Sequence, residues 1–479
     1  MFNDLREFLD KVEELGDLKL VEGADAESDI GGLTELFLTD PNPPLLLFDN
    51  IKGYEPGYRV ISHVFSTGKR IALGFGLPVE AKGIDLVRAL REKIKMGIGS
   101  VPPVQVETGP VKQNIMTGKD VDLFKFPAPK WHELDGGRYI GTGSTTIMRD
   151  PDDGWLNVAP YRVQIQDKNT ATIHIAPSHH GDIIRKKYWE KGLSCPAAVT
   201  CGQDPTLGLA SVWPAPWGVC EYNLAGGLRG KPVEVTRGVT TDLLVPATAE
   251  IVLEGELVPP EVETRMEGPF GEWSGYYARG QMPEPAFRVK SVLYRDNPII
   301  QGNPPFRYAF ASFGAQIRKA AVLWNELDRQ IPGVKGVWVV EQATSAGILV
   351  ISLKQEYAGH AKQAAFIAAG ATISGRYFPI TIVVDDDIDP SNTSDVLWAL
   401  GTRVEPDTSI DIISGCLSSF LQPTTSPEQR SRGDSSASKM IILACKPYHW
   451  IKQFPPSISL SEGAAKKLRE KWCELFPSD

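Results

Sequence analysis

The run Tyr161-Arg162-Val163-Gln164-Ile165-Gln166 alternates apolar and polar side chains, and after the turn DKNT the segment ATIHIAP keeps the same period of two. That alternation predicts a β-hairpin with one apolar face and one polar face, the polar face carrying Arg162 and His174. Around it, residues 121–305 read as short strands and turns rich in Gly, Pro and Trp, and six of the 11 tryptophans fall between Trp131 and Trp273. The flanking regions have other rhythms. Residues 1–120 mix helices (3–15 and 84–96) with short strands such as 59–65. The first helix sets Leu5, Phe8, Leu9, Val12 and Leu15 on one side, with Asn3 as its candidate cap and Gly16 as its stop. Residues 306–479 alternate helices (315–330, 360–370, 394–403) with strands (337–340, 348–353, 380–384, near 409–413) and end in an amphipathic helix, 460–472. The expected fold class is a multidomain α+β and α/β protein. It comprises an N-terminal α/β region (1–120), a central antiparallel β-barrel-like or sandwich domain (121–305), and a C-terminal α/β domain with a terminal helix (306–479) of the kind that packs on a neighbouring subunit.

Charge and composition narrow the function. With 50 Lys and Arg against 59 Asp and Glu, a net charge of −9 and no basic block, nucleic acid is not an expected partner. No stretch approaches the ~18 apolar residues of a membrane span, and the first residues lack a secretory pattern. Six scattered cysteines without a C-x-x-C pair read as reduced thiols of a cytoplasmic protein rather than a zinc or redox site. Three familiar patterns carry little. GTGSTT (141–146) is followed by a strand and turn, not by the helix that a phosphate loop requires. DDDID (385–389) sits at a strand end, where acids commonly cap the next element. Ser144, Ser211 and Ser274 lack a nucleophile elbow.

Three clusters carry chemistry. In EGPFGEWSGYY (267–277), Glu267 and Glu272 flank a Gly-Pro-Phe-Gly turn, and two acids on one rigid loop beside an aromatic can have their proton affinities pushed apart. A solvated turn with two surface acids is the plain alternative. In Asn157-Val-Ala-Pro-Tyr-Arg162, the guanidinium on the polar strand face can grip a carboxylate through two nitrogens, or be an ordinary surface arginine. Ser178-His179-His180-Gly181 holds an adjacent pair among only seven histidines. Neighbouring side chains in extended backbone diverge, so one of the two can enter a given site. Glu221 can add an oxygen ligand, and Asn, His and Glu together suit Mn²⁺ or Mg²⁺ better than structural zinc.

Taken in order, these clusters resemble the UbiD-type decarboxylases, enzymes that use prenylated FMN. The resemblance runs from the N-terminal region through ATAEIVLEGEL (247–257) to VVDDDID. Its most specific motif, E-x-P-x-G-E-x-x-G, is matched by Glu267, Pro269, Gly271, Glu272 and Gly275. The resemblance implies a reversible decarboxylase of an aromatic, heteroaromatic or α,β-unsaturated acid. In it Glu272 is the proton donor, and Arg162 with Glu267 is the supporting pair. It implies Asn157, His179 and Glu221 as ligands of a divalent metal, usually Mn²⁺, that bridges to the cofactor phosphate. A K⁺ would be held by backbone oxygens near Ala210–Trp213. Cofactor contacts would come from Thr142, from Asn157, Val158, Ala159, Pro160, Tyr161 and Arg162, and from Ser178, His179 and Glu221, with Arg376 a further phosphate candidate. The implied partners are a small carboxylic acid, a flavin prenyltransferase that supplies the cofactor, and a second copy of the chain in a homodimer or larger homo-oligomer. Ser178 is smaller than the glutamine of some members. Trp273, Phe306, Arg307, Tyr308, Phe310 and Phe313 are expected near the pocket, with Arg307 meeting a second polar or anionic group of the substrate. The competing readings are a prenylated-flavin-binding subunit or carrier without its own decarboxylase activity, and a Mn²⁺-dependent hydrolase.

Overall fold

The computed structural model describes residues 1–307, 314–344, 346–458 and 460–475. The predicted hairpin is present. Arg162–Ile165 pairs antiparallel with Thr170–His174, and the turn closes where Gln166 and Asp167 donate their N–H groups to the Thr170 carbonyl. Val163, Ile165, Ala171 and Ile173 are buried, so this face of the hairpin enters the core. The hairpin belongs to a ten-stranded sheet running Tyr139–Gly141, Arg162–Ile165, Thr170–His174, Met282–Tyr294, Ile251–Leu257, Cys195–Thr200, Thr145–Arg149, Leu156–Ala159. Asn114–Thr117 and Thr264–Glu267 pair at the two ends of the long strand Met282–Tyr294. Every pairing in this sheet is antiparallel. GTGSTT bends from one strand into the next without a helix, as its composition predicts.

A four-stranded sheet, Leu18–Glu22, Leu45–Asp49, Arg59–Ser62 and Ile299–Gln301, lies in the N-terminal region. Its last strand comes from 240 positions beyond its neighbour, in parallel register Ile300 to Val60. The helix Leu5–Glu14 buries Leu5, Phe8, Leu9 and Val12, and Gly16 follows it at φ 67°. Its cap is Asp4, not Asn3. The Asp4 carboxylate accepts the Glu7 N–H at 2.9 Å, while Asn3 donates its own N–H back to the Glu7 carboxylate at 2.7 Å, a reciprocal cap that needs the acid one position later.

The C-terminal sheet has the order Val334–Val339, Ile348–Leu353, Ile380–Asp385, Ser436–Ala444, Ile410–Leu417, parallel across its three middle strands. Helices Ala315–Gln330, His360–Gly370 and Thr393–Arg403 accompany it, and Glu462–Lys471 forms the last helix. The acids at the end of Ile380–Asp385 are structural. Arg403, at the end of its helix, donates to Asp385 at 2.9 Å and to Asp387 at 2.8 Å, tying helix to strand. Among the described residues no helix is long and apolar enough to cross a membrane, and the cysteines are unpaired.

Candidate active site

The polar end of the hairpin and the glycine-rich turn meet. Arg162 and His174 are direct cross-strand partners. Glu267 ends the strand Thr264–Glu267, and the chain then turns through a cis Gly268–Pro269 peptide to Glu272. This turn is pressed against neighbouring backbone. A Cβ on Gly136 would fall 1.9 Å from the Gly268 carbonyl oxygen, and one on Gly271 would fall 2.8 Å from the His132 ring, so only glycine fits at either position. The Gly268 N–H donates to the Gln164 side chain at 3.0 Å and the Gly271 N–H to Asp135 at 3.1 Å. These bonds fix both glutamates relative to the strand that carries Arg162.

Arg162 holds the two carboxylates unequally. Its Nε donates to Glu267 Oε1 at 2.7 Å and its Nη2 to Glu267 Oε2 at 3.0 Å, a two-toothed grip, while Nη1 alone contacts Glu272 Oε1. The Tyr139 hydroxyl donates to Glu267 Oε1 at 3.1 Å, and the Phe270 ring lies 5.1 Å from the guanidinium carbon. Glu267 is 1% exposed and Glu272 6%. Burying such charges unpaired is costly, and the shared guanidinium offsets that cost. Burial works to raise the Glu267 carboxyl, but the Arg162 hydrogen bonds hold it below its ordinary value. Burial works to lower Arg162, and Glu272 and then Glu267 overcome it. Burial, with Glu267 beside it, pushes the Tyr139 phenol up, so the phenol remains a donor.

A second group lies on the other side of Tyr161. Asn157 donates through Nδ2 to Glu221 Oε1 at 3.1 Å, and the Val158 N–H donates to Glu221 Oε2 at 2.8 Å. The Asn157 Oδ1 atom is buried without a partner. Burial pushes the Glu221 carboxyl up to about 7, the behaviour of an acid that lacks a nearby cation. His179 precedes the helix His180–Glu190 with its ring 6.4 Å from that of Tyr161, whose hydroxyl accepts the Gly181 N–H. Burial, and next Arg376, pull His179 down and favour the neutral imidazole that ligates metals. The adjacent histidines do diverge, since His180 packs on Trp155 and Trp217 instead. Ser178 sits at φ 68°, an uncommon conformation for a non-glycine residue, with its N–H on Asp182.

The remaining residues singled out in the sequence are more dispersed. Thr142 accepts the Asn303 N–H on its hydroxyl at 3.0 Å, and Ala159 pairs with Thr146 across strands. Ala210–Trp213 is the last turn of the helix Pro205–Ser211 and the residues after it. Trp273 stands edge-on to Tyr377, which joins the glutamate loop to the C-terminal region. The Arg307 backbone abuts Gly275. Tyr308, Phe310 and Phe313 lie outside the described residues. Two neighbours of the site escaped the sequence reading, Glu284 and Arg279. His174 Nδ1 lies 2.6 Å from Glu284 Oε1, and Arg279 Nη1 lies 3.0 Å from His174 Nε2. The alternation in the hairpin marks His174 as polar-facing, but no local signal pairs it with a strand 110 positions away.

Three family models match the chain. They are the N-terminal domain of 3-octaprenyl-4-hydroxybenzoate carboxy-lyase over residues 9–90, its Rift-related domain over 103–307 and its C-terminal domain over 313–444. The chain is 33% identical to a pyrrole-2-carboxylic acid decarboxylase of Pseudomonas aeruginosa, over 98% of both chains. Among solved structures, it superposes on the vanillic acid decarboxylase of Sedimentibacter hydroxybenzoicus in its open form, with TM-score 0.83 and 29% identity, covering 99% of each chain. It also resembles the UbiD-class enzyme HmfF of Pelotomaculum thermopropionicum in complex with FMN, with TM-score 0.84 and 30% identity over 97% of this chain and 98% of that one. An evolved dimeric form of HmfF has been solved with prenylated FMN, and its TM-score is 0.81 at 29% identity, over 97% of this chain and 98% of that one.

The buried ion pair has a signature in stability. Glu267 is held below its ordinary 4.5, so its contribution is complete above that value and is lost as pH falls through the lower folded-state value. Thermal unfolding of the wild type from pH 7 to pH 3 is expected to show this acid loss. Glu267→Gln is expected to unfold at lower temperature at pH 7 and to show a shallower acid slope. An unchanged slope would assign the acid lability to other carboxylates.

Proposed function

The chain belongs to the UbiD family of decarboxylases and is a carboxy-lyase, and from that premise we propose that it removes CO₂, reversibly and without net oxidation, from an aromatic, heteroaromatic or α,β-unsaturated acid with prenylated FMN bound in its central domain. The observation that carries this reading is the buried Glu267–Arg162–Glu272 triad on the motif that the family resemblance marks. Relatives named for pyrrole-2-carboxylic and phenolic acids support an aromatic or heteroaromatic substrate.

The residues present fit the cofactor and its metal. A buried Asn157 oxygen without a partner, a buried Glu221 and a neutral His179 form a donor set of the kind that Mn²⁺ or Mg²⁺ takes. We assign these three to the metal that would anchor the flavin phosphate, and the backbone carbonyls of Ala210–Trp213 to K⁺. Thr142, the 157–162 segment and Ser178 line the same site in this assignment, with Arg376 beside His179 on the phosphate side. When bound, prenylated FMN supplies the acceptor for the electron pair released as CO₂ leaves an sp² carbon, chemistry that no side chain provides. A flavin prenyltransferase is the corresponding supplier, and a homodimer the simplest assembly.

The chain's own work is positioning and proton transfer. The two-toothed grip keeps Glu267 ionised, so Glu267 orients Arg162 and does not act as an acid. Glu272, held by a single guanidinium nitrogen, has its second oxygen free of Arg162 and is the group placed to carry a proton. In the decarboxylating direction that proton passes from the Glu272 carboxyl to the carbon that lost CO₂. In the reverse direction the Glu272 carboxylate takes it back. The closely packed Gly271 and Gly136 keep the donor from drifting, and displacement of about 1 Å in such a donor costs orders of magnitude in rate.

Two variants separate proton transfer from cofactor binding. Glu272→Gln is expected to retain flavin and metal while turnover falls at least ~10²-fold, the range for loss of a general acid. Retention of the wild-type rate would remove Glu272 from that role. His179→Ala is expected to lower bound metal, by elemental analysis, and bound flavin, by absorbance, together. Normal occupancy of both would show that the metal is held elsewhere.

A further inference from the structure

The C-terminal region holds a cavity that is tied to the glutamate turn. Its volume is about 370 Å³, within the range that encloses a small ring compound. Tyr377, the loop that follows Ile410–Leu417 and the first residues of the strand Ser436–Ala444 wall it. Two contacts join this wall to the stretch that runs on directly from Glu272. The Tyr377 ring meets Trp273 edge-on, with ring centres 6.1 Å apart. Arg430 donates through Nη1 to the Ala278 carbonyl and through Nη2 to the carbonyl of Gln422, a lining residue, at 3.0 Å.

The charge in this cavity has one sign. Arg376 and Lys439 line it, no acid is among its described lining residues, and Gln422, Thr424 and Ser438 add neutral hydrogen-bonding groups. Lys439 is 6% exposed. Its Nζ donates to the Tyr377 carbonyl at 2.8 Å and to the Ser374 carbonyl at 3.5 Å. An ammonium has three donors, so one is left for the cavity. Burial pulls the Lys439 ammonium down, and the group that works against burial is the Cys416 thiol, not a carboxylate. A buried ammonium held by carbonyls alone lacks a counter-charge. Lys319 adds to the same sign, with its Nζ 4.0 Å from the centre of the Tyr377 ring. Arg376 faces His179 and is assigned above to the phosphate side, which leaves Lys439 as the cavity's cation for another anion.

We propose that this cavity receives the far end of the substrate and that Lys439 binds a second carboxylate there, so that the enzyme takes an aromatic or heteroaromatic diacid and returns the monoacid. This deepens the decarboxylase reading and rests on it. One carboxylate leaves as CO₂, and the carbon that carried it takes the proton from Glu272. The other keeps its charge and stays on Lys439, flanked by Thr424 and Ser438. Lys439 sets specificity and does not touch the reacting carbon, so its contact is made equally in the ground state and the transition state. A monoacid in the same place leaves the ammonium buried without an anion, and that unpaired group selects against it.

The test uses holoenzyme and matched acids, terephthalic against benzoic and pyrroledicarboxylic against pyrrole-2-carboxylic, with binding read by calorimetry and turnover by CO₂ release. Wild type is expected to bind at least one diacid about tenfold more tightly than its monoacid, the size of a lost charge-assisted hydrogen bond. Lys439→Met is expected to remove that preference. It raises Kd and KM for the diacid about tenfold with kcat little changed, and leaves the monoacid within about twofold. A lysine with a merely structural role would affect both acids alike. Thr424→Val, on the exposed rim, is expected to cut the preference about threefold, and its ratio decides where Lys439→Met does not fold. The proposal is overturned by a wild type that prefers neither diacid, by equal losses on both acids in Lys439→Met, or by a fall in bound flavin in that variant, which would give the lysine to the cofactor. Tighter diacid binding without CO₂ release from any acid would sink the decarboxylase reading and leave the carboxylate site standing. CO₂ release from monoacids with no preference for a diacid would do the reverse.

Discussion

One guanidinium shared between two buried carboxylates is the constraint around which this protein is arranged. Arg162 neutralises a site in which neither Glu267 nor Glu272 could be buried as a charge alone. The sharing is unequal, and the inequality divides the labour. The carboxylate gripped at both oxygens is held below its ordinary pKa, and the one gripped at a single oxygen keeps its other oxygen free of the guanidinium. A symmetrical pair would give two half-committed acids. Tyr139 reinforces the asymmetry by donating to Glu267.

That geometry needs a rigid frame, and the antiparallel sheet supplies it. Arg162 stands on a strand whose alternate residues, Val163 and Ile165, are locked into the core, so its backbone is fixed, and the two carboxylates hold the guanidinium at the end of its side chain. The glutamates stand on a turn pinned by Gln164 and Asp135 and fitted against glycine backbone. Of the metal-type donors, Asn157 stands on the strand Leu156–Ala159 of the same sheet, five residues before Arg162, and Glu221, at the start of the helix Glu221–Arg229, is hydrogen-bonded to that strand. The glutamate turn and the Asn157–Glu221 pair are thus joined to one sheet, and Trp273 against Tyr377 connects the turn to the C-terminal region.

Local pattern made much of this legible. The period-two alternation of 161–166 identified both the hairpin and its polar face, because a half-buried strand must alternate. The Gly-Pro-Phe-Gly turn between two acids was visible as a rigid loop, and the divergence of His179 from His180 follows from extended backbone. What stayed hidden depends on pairing distant in sequence. The Arg162–Glu267 contact, which spans 105 positions, was expected only through the family resemblance, and His174–Glu284, which spans 110, was not expected at all, because hydrophobic periodicity does not encode which strands become neighbours. For the same reason the strand Ile299–Gln301 joins the N-terminal sheet without a local sign. The helix cap moved from Asn3 to Asp4 because boundaries turn on a single reciprocal hydrogen bond with Glu7.

The central claim is that this triad acts together with a bound prenylated flavin. Its most direct measurement is the absorption spectrum and CO₂ release of protein co-expressed with a flavin prenyltransferase, purified without oxygen and offered pyrrole-2-carboxylic, furoic, phenolic and cinnamic-type acids. The account predicts a flavin-type chromophore bound near one per chain and CO₂ release from at least one of these acids only when that chromophore is present. Colourless protein, or equal CO₂ release without the chromophore, would contradict it.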